Sequence, residues 1–179
     1  FVNGGWGTGK THFLRLLREK GFENNFLVST IELDEAEVPF NKFEEVYKRI
    51  VQNIESETMF HTDITGGNNQ WLDNIIGDCL GLSDDNREIS EMIIKEKSIE
   101  ILKDNSIDND FRRVIIKYMD TFKYEDELDQ LNHRGYLKDW LSGEGKLSDH
   151  RANFKSMGIN VNKMPDKSNS KIMLGSLSK

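Results

Sequence analysis

The feature that most constrains this chain is a glycine-rich run at residues 4–11, GGWGTGKT. It matches the G-x-x-x-x-G-K-[ST] pattern of a phosphate-binding loop at every fixed position. Such a loop lies between a strand and a helix. Phe1 and Val2 are typical of a strand end, and residues 11–20 place apolar side chains at helical spacing before Gly21, a common helix terminator. The run therefore predicts a phosphate loop in its usual strand-to-helix setting.

Each residue type in this run suits the binding of a nucleoside triphosphate. Glycine can adopt positive φ and lets backbone N–H groups approach phosphate oxygens, as expected for Gly4, Gly7 and Gly9. Lys10 is the expected catalytic residue, because its charge would lie on the β- and γ-phosphates, and the Thr11 hydroxyl is the expected Mg²⁺ ligand. The predicted ATP contacts are Gly4, Gly5, Trp6, Gly7, Thr8, Gly9, Lys10, Thr11 and His12.

Two residues of the run are open to more than one interpretation. Trp6 occupies a variable position of the loop. Two roles explain it equally well: it covers the nucleotide, or it packs on the domain. His12 follows Thr11 directly at the start of the helix. Because its spacing from Lys10 suits no obvious proton transfer, a structural histidine is favoured over a general base.

The charge balance narrows the classes of function. A net charge of −7 over 179 residues argues against a general nucleic-acid or membrane-surface binder. The single cysteine, Cys79, excludes an intramolecular disulfide and is typical of a reducing cytoplasm. No apolar run approaches the ~18 residues of a membrane span, and no signal-peptide pattern is present. These features predict a cytoplasmic protein with no membrane partner.

The order of predicted elements favours an α/β fold. A strand over 26–33 follows the first helix, which begins a parallel sheet. Helical periodicity then predicts helices over 43–57, 69–80, 87–104, 109–122, 125–142 and 148–157, with a last one starting near Asn169. We therefore predict a fragment of a P-loop NTPase, a parallel sheet with flanking helices, that carries a large all-helical insertion.

This interpretation divides the chain into three parts. Residues 1–57 are the N-terminal part of the ATPase core, 58–147 are a mostly helical insertion or lid, and 148–179 are a return segment that leads toward an Asp-Glu strand beyond this fragment. Only Phe1 and Val2 remain of the strand that should precede the loop, fewer than the ~5 residues of a typical strand. We therefore expect the chain to be a fragment of a longer protein.

Other candidate sites are weaker. Asp34 and Glu35 end an apolar strand as a magnesium-organising and water-activating pair would, but this strand follows the first helix directly and is peripheral in ATPases with an extra strand. A solvated strand end or a helper acidic pair is favoured there. The scattered histidines predict no zinc site. A solvated helical face is favoured over a nucleic-acid groove for the basic residues Arg112, Arg113, Lys117, Arg134, Lys138, Lys146, Arg151 and Lys155.

Three runs together resemble one family: GGWGTGKTHFLRLLRE at 4–19, ELDEAEVPFNKFEEVYKRI at 32–50 and WLSGE at 140–144. They are similar to the ATP-binding P-loop proteins of bacteriophage-exclusion (BREX) systems, an AAA-like group. The first two runs are specific and the third is supportive. The resemblance implies an intracellular bacterial or archaeal ATPase, with Gly4, Gly9, Lys10 and Thr11 as the nucleotide and Mg²⁺ contacts.

The resemblance also implies partners and a second half of the active site. The partners would be other proteins of a phage-defence island, and DNA through the full complex. Assembly of the chain into a homo-oligomer is a further alternative. The Asp-Glu strand of the family would follow the helix near Asn169, beyond this fragment. An ATPase is the leading hypothesis, and a nucleotide-gated scaffold with little hydrolysis is the alternative. A DNA motor would need a basic surface that this acidic chain does not predict.

Overall fold

The computed structural model describes residues 7–32, 41–56, 71–82, 87–123, 126–165 and 169–177. Gly4, Gly5, Trp6 and the Asp34–Glu35 pair lie outside them. The described residues contain eight α-helices, one 3₁₀ turn (Thr121–Lys123) and two short strands. The helices are α1 (Lys10–Glu23), α2 (Phe43–Gln52), α3 (Trp71–Leu80), α4 (Arg87–Lys103), α5 (Asn109–Asp120), α6 (Glu127–Leu141), α7 (Leu147–Ser156) and α8 (Ser170–Leu177), and the strands are β1 (Val28–Ser29) and β2 (Ile54–Glu55).

The predicted α/β fold with a parallel sheet is wrong for the described part of the chain. Its sheet has two strands of two residues each, and they run antiparallel, with Val28 opposite Glu55 and Ser29 opposite Ile54. The expected strand over 26–33 shrinks to β1. The backbone groups of β1 pair with the segment just after α2, which returns in the opposite direction and needs no crossover to do so. The structure is therefore mostly helical.

The helix after the loop is confirmed, but its predicted end is wrong. Helix α1 continues through Gly21 to Glu23, and Asn25 adopts the left-handed conformation (φ 58°) that glycine was expected to supply. The amide of Phe26 then donates to the Gly21 carbonyl at 3.0 Å and closes the turn. Asparagine can take this role because its short polar side chain tolerates the left-handed region.

The main core lies among the helices that follow β1. Helical spacing correctly predicted α4, α5 and α6 to within about three residues at each end, which is the usual uncertainty of such boundaries. Their apolar faces bury large side chains, among them Ile94, Val114, Tyr118, Leu137 and Trp140. The core is thus built by packing helix on helix, and the sheet contributes little to it.

An extended segment joins the last two helices. Residues 159–164 carry no regular hydrogen-bonded structure, yet Val161 and Met164 are buried. The segment leads to α8, which packs against α2. Among the described residues, no helix has both the length and the apolar character that crossing a membrane requires.

Candidate phosphate-binding site

The described part of the glycine-rich loop adopts a conformation that requires glycine. Gly7 has φ 77° and Gly9 has φ 78°, both in the left-handed region. A Cβ at either position would meet no atom within 4 Å, so the requirement comes from the backbone conformation and not from crowding. Positive-φ residues in a turn help successive N–H groups to face one concavity.

The loop ends at the N-terminus of α1. Gly9 is the N-cap residue, and its carbonyl accepts the first helical hydrogen bond from Phe13 N at 2.9 Å. The N–H groups of the first turn have no acceptor within the helix itself. The first turn contains no acidic side chain and begins with Lys10. This end of α1 therefore combines the positive end of a helix dipole with a lysine charge.

An open concavity of about 520 Å³ lies over this end of the helix. Among the residues that the structure describes, its lining consists of Gly7, Thr8, Gly9, Lys10, Thr11 and His12. Of the nine predicted contacts, the six that the structure describes are thus brought together around one space. Thr11 and His12 are exposed, so their side chains are accessible to a bound molecule.

Helix α1 is held to the rest of the protein near its C-terminal end. Phe22 is its buried residue, and Arg18 lies over the Phe22 ring at 5.5 Å. Arg18 Nε also donates to Glu55 Oε2 of β2 at 2.9 Å. Sequence reasoning missed this ion pair, since 37 residues separate its members and no local spacing signals it.

The apolar stripe of α1 is exposed. Phe13, Leu14, Leu16 and Leu17 are 42 to 55% accessible, and Phe26 just beyond the helix is 66% accessible. The periodicity of these residues identified the helix correctly, but the side of α1 that packs on β1 and β2 is the one bearing Arg18 and Phe22. The phosphate-loop helix therefore presents its most apolar face outward.

Three arginines of the basic helical surface have structural roles. Arg112 donates to the carbonyls of Leu102 and Asp104, and Arg113 donates to the carbonyl of Asn160. Arg151 donates to the Val161 carbonyl at 3.2 Å. These bonds fix loops of the helical part. The expected solvated face is wrong for two further basic residues, Arg134 and Lys138, which are buried. The bonds of the three arginines give no support to a nucleic-acid groove.

A glycine-rich turn that leads into a helix N-terminus is the usual anion-binding arrangement of nucleotide-binding proteins. Comparison with known families agrees with that class. The model of the family described as BREX system ATP-binding protein BrxC/D matches residues 1–170. The chain belongs to this family. No curated protein and no solved structure matches the chain.

Proposed function

We propose that the chain binds ATP with Mg²⁺ at the loop and the first turn of α1, and that it forms the nucleotide-binding part of an ATPase. The observation that carries this proposal is the pair of left-handed glycines, Gly7 and Gly9, immediately before Lys10 at the helix N-terminus. Membership of a family of ATP-binding proteins supports it independently.

Each group at the site has a defined role in the proposed chemistry. The loop N–H groups bind phosphate oxygens, and Lys10 stabilises the negative charge of the phosphoryl group as it transfers to water. The exposed Thr11 hydroxyl supplies one hard oxygen ligand and leaves room for waters and phosphate oxygens, which suits Mg²⁺. A Mg²⁺ ion held there with ATP would supply positive charge that neutralises part of the charge on the phosphates.

The proposed setting is the cytoplasmic machinery of a BREX phage-defence system. The family is that of an ATP-binding protein of such systems, so other proteins of the system are the natural partners. The acidic total charge and the structural use of Arg112, Arg113 and Arg151 offer no support for direct DNA binding by the described surface. Any contact with DNA is therefore assigned to the whole complex.

The test compares two lysines at opposite ends of α1. Lys10→Ala should weaken ATP binding by at least about tenfold, the equivalent of 1.4 kcal/mol, because a charge-assisted phosphate contact is lost. Lys20→Ala removes an exposed lysine in the last turn, which pairs with Glu23, and should leave ATP affinity unchanged. Isothermal titration with ATP and Mg²⁺ measures both, and circular dichroism confirms that both variants fold.

Equal ATP affinity in the two variants would overturn the proposed site.

The second candidate function is a nucleotide-gated scaffold with little hydrolysis. A measurement of phosphate release distinguishes it from the ATPase. An observation in favour of the scaffold is that α2 connects the elements beside the loop with the helical part of the protein. Binding with turnover supports the enzyme, and binding without turnover supports the scaffold.

A further inference from the structure

Helix α2 lies between the phosphate-loop helix and the helical bundle, which we define as α4 to α7 (residues 87–156). On the loop side, α2 leads through Asn53 directly into β2, where Glu55 pairs with Arg18 of α1. Ser29 of β1 also donates from Oγ to the Ile50 carbonyl of α2 at 2.8 Å. The elements next to the loop are thus tied to α2 by an ion pair and by a hydrogen bond.

On the bundle side, α2 contacts the WLSGE run at residues 140–144. The buried Tyr47 hydroxyl donates to the Leu141 carbonyl at 2.6 Å, and Gln52 Nε2 donates to Glu144 Oε1 at 3.0 Å. Gly143 has φ 72°, and a Cβ there would lie 3.3 Å from the Pro165 carbonyl and 3.5 Å from Lys48 Cγ. Two of the runs that suggested the family therefore meet in space at this point.

The WLSGE run is itself fixed inside the bundle. Trp140, Leu141 and Ser142 are buried, and Trp140 Nε1 donates to the Lys163 carbonyl at 3.1 Å. Asp110 of α5 accepts from the backbone N–H groups of Asn162 and Lys163. A displacement of α2 against this run would therefore be carried into α5 and α6 and would not be absorbed by a loose loop.

We propose that α2 transmits the state of the candidate nucleotide site to the helical bundle: Glu55 receives the movement of α1 through Arg18, and Tyr47 delivers it to the WLSGE run. This inference rests on the proposed binding of ATP. It assigns Tyr47 and Glu55 as positioning residues, since neither lines the concavity at the loop.

Amide hydrogen exchange tests the proposal, because backbone amides of the WLSGE run can be followed individually. The amides of Ser142, Gly143 and Glu144 donate to carbonyls of α6 at 2.8 to 3.0 Å, so their exchange measures opening of this end of the helix. In the wild-type chain, ATP with Mg²⁺ should slow exchange across 141–145 about fivefold or more, the lower end of typical coupling between sites.

Tyr47→Phe removes one hydroxyl and should keep wild-type ATP affinity while losing the ATP-dependent slowing at 141–145. The matched control is Tyr136→Phe, the same change at a 38% exposed position on α6, which should retain the slowing. Glu55→Gln breaks the route at its other end, at a half-exposed position, and should give the same loss as Tyr47→Phe even if the tyrosine variant folds poorly.

The outcomes separate the two levels of inference. ATP binding with no change of exchange at 141–145 in the wild-type chain overturns the transmission route. Wild-type slowing in either Tyr47→Phe or Glu55→Gln overturns it as well. A wild-type chain that binds no ATP overturns instead the proposed function, on which the route depends.

Discussion

Gly21 and Val28 lie so close that a Cβ on Gly21 would come within 2.7 Å of Val28 Cγ2. Glycine is therefore required inside α1 because of a neighbouring strand and not because the helix ends there. A glycine in a helix interior costs about 1 kcal/mol relative to alanine. The absence of a side chain lets α1 lie directly on β1, and this packing offsets the cost.

Gly21→Ala should accordingly destabilise the protein despite its better helix propensity. The added methyl forces the stiff Val28 side chain or the helix to move, at a cost of about 1–3 kcal/mol. Gly135→Ala is the matched control within α6, because a Cβ there meets nothing within 4 Å. The control should be neutral or stabilising in urea unfolding. Equal behaviour of the two variants would show that α1 and β1 are not in close contact.

The left-handed loop glycines lead to a prediction about ATP affinity. Alanine in the left-handed region costs about 1–2 kcal/mol, so Gly9→Ala should drive the loop out of its binding conformation and weaken ATP binding about 5- to 30-fold. Gly158→Ala is the control, since Gly158 has φ 74° and equally open surroundings but lies after α7. It should lose similar stability and keep full ATP affinity by titration. An affinity loss in the control would mean that global destabilisation explains both.

The helices could be predicted from the sequence because their signal is local. In α5, Phe111, Val114 and Tyr118 recur at helical spacing, and all three are buried. The glycine turn before α1 could be located for the same reason, since the motif consists of residue types within eight consecutive positions. Periodicity and motif spacing capture interactions within one element. The positions of the helices were therefore predicted correctly, whereas the binding of ATP by the loop stays a prediction.

The sheet and the long-range contacts could not be predicted in this way. A run of residues with high β-propensity over 26–33 indicates that a strand is favourable, but it does not indicate which segment will pair with that strand. The helix predicted over 43–57 is wrong at its end, where the structure has the partner strand, Ile54–Glu55. The periodicity extends the helix too far because Ile54 continues the apolar period of α2. The Arg18–Glu55 pair and the Tyr47–Leu141 bond likewise depend on tertiary placement. No spacing within the sequence encodes them.

The Tyr47 hydroxyl should contribute measurably to stability. Tyr47→Phe leaves the buried Leu141 carbonyl without its donor, which should lower the free energy of unfolding by about 1–3 kcal/mol. Tyr136→Phe should change it by less than about 0.5 kcal/mol, because that residue is at the surface. Comparable losses in the two variants would mean that the hydrogen bond of Tyr47 makes no net contribution to the free energy of unfolding.

The same residue predicts a pH dependence. Burial raises the pKa of Tyr47 well above its ordinary value of 10.0. In the unfolded chain the phenol ionises near pH 10, whereas in the fold it stays protonated, so ionisation favours unfolding and stability falls as pH rises above 10. Tyr47→Phe should reduce that fall in thermal melts between pH 9 and 11. An identical slope in both proteins would contradict the burial of a protonated phenol.

Asp110 should be far more important to stability than a typical surface carboxylate. It is 2% exposed and accepts from Asn162 N at 2.7 Å and Lys163 N at 3.1 Å, so Asp110→Ala leaves two backbone donors unpaired. We expect a loss of about 3 kcal/mol. Asp120→Ala, which breaks a partly exposed pair with Lys123, should cost under about 1 kcal/mol. Urea unfolding compares them, and similar losses would show that the 159–165 segment is not held by Asp110.

Asp139, in the last turn of α6, should destabilise the fold when it is ionised. Burial, followed by the charge of Glu144, raises the pKa of its carboxyl above 3.8, while His150 and Lys138 oppose the rise. The folded chain then holds the proton more tightly than the unfolded chain, so the stability linked to this group is complete below pH 3.8 and falls as pH rises through the folded pKa. Asp139→Asn should therefore stabilise the protein at pH 7.

The control for Asp139→Asn is the same substitution at the other end of α6. Asp129 lies in the first turn, where a negative charge is favourable to the helix dipole, so Asp129→Asn should cost about 0.3–1 kcal/mol at pH 7. Thermal unfolding of both variants from pH 3 to pH 8 checks the sign. The gain from Asp139→Asn should shrink to nothing as the pH approaches 3, because the wild-type carboxyl is then protonated in both states. A gain that persists unchanged at pH 3 would mean that packing of the amide, and not charge, explains it.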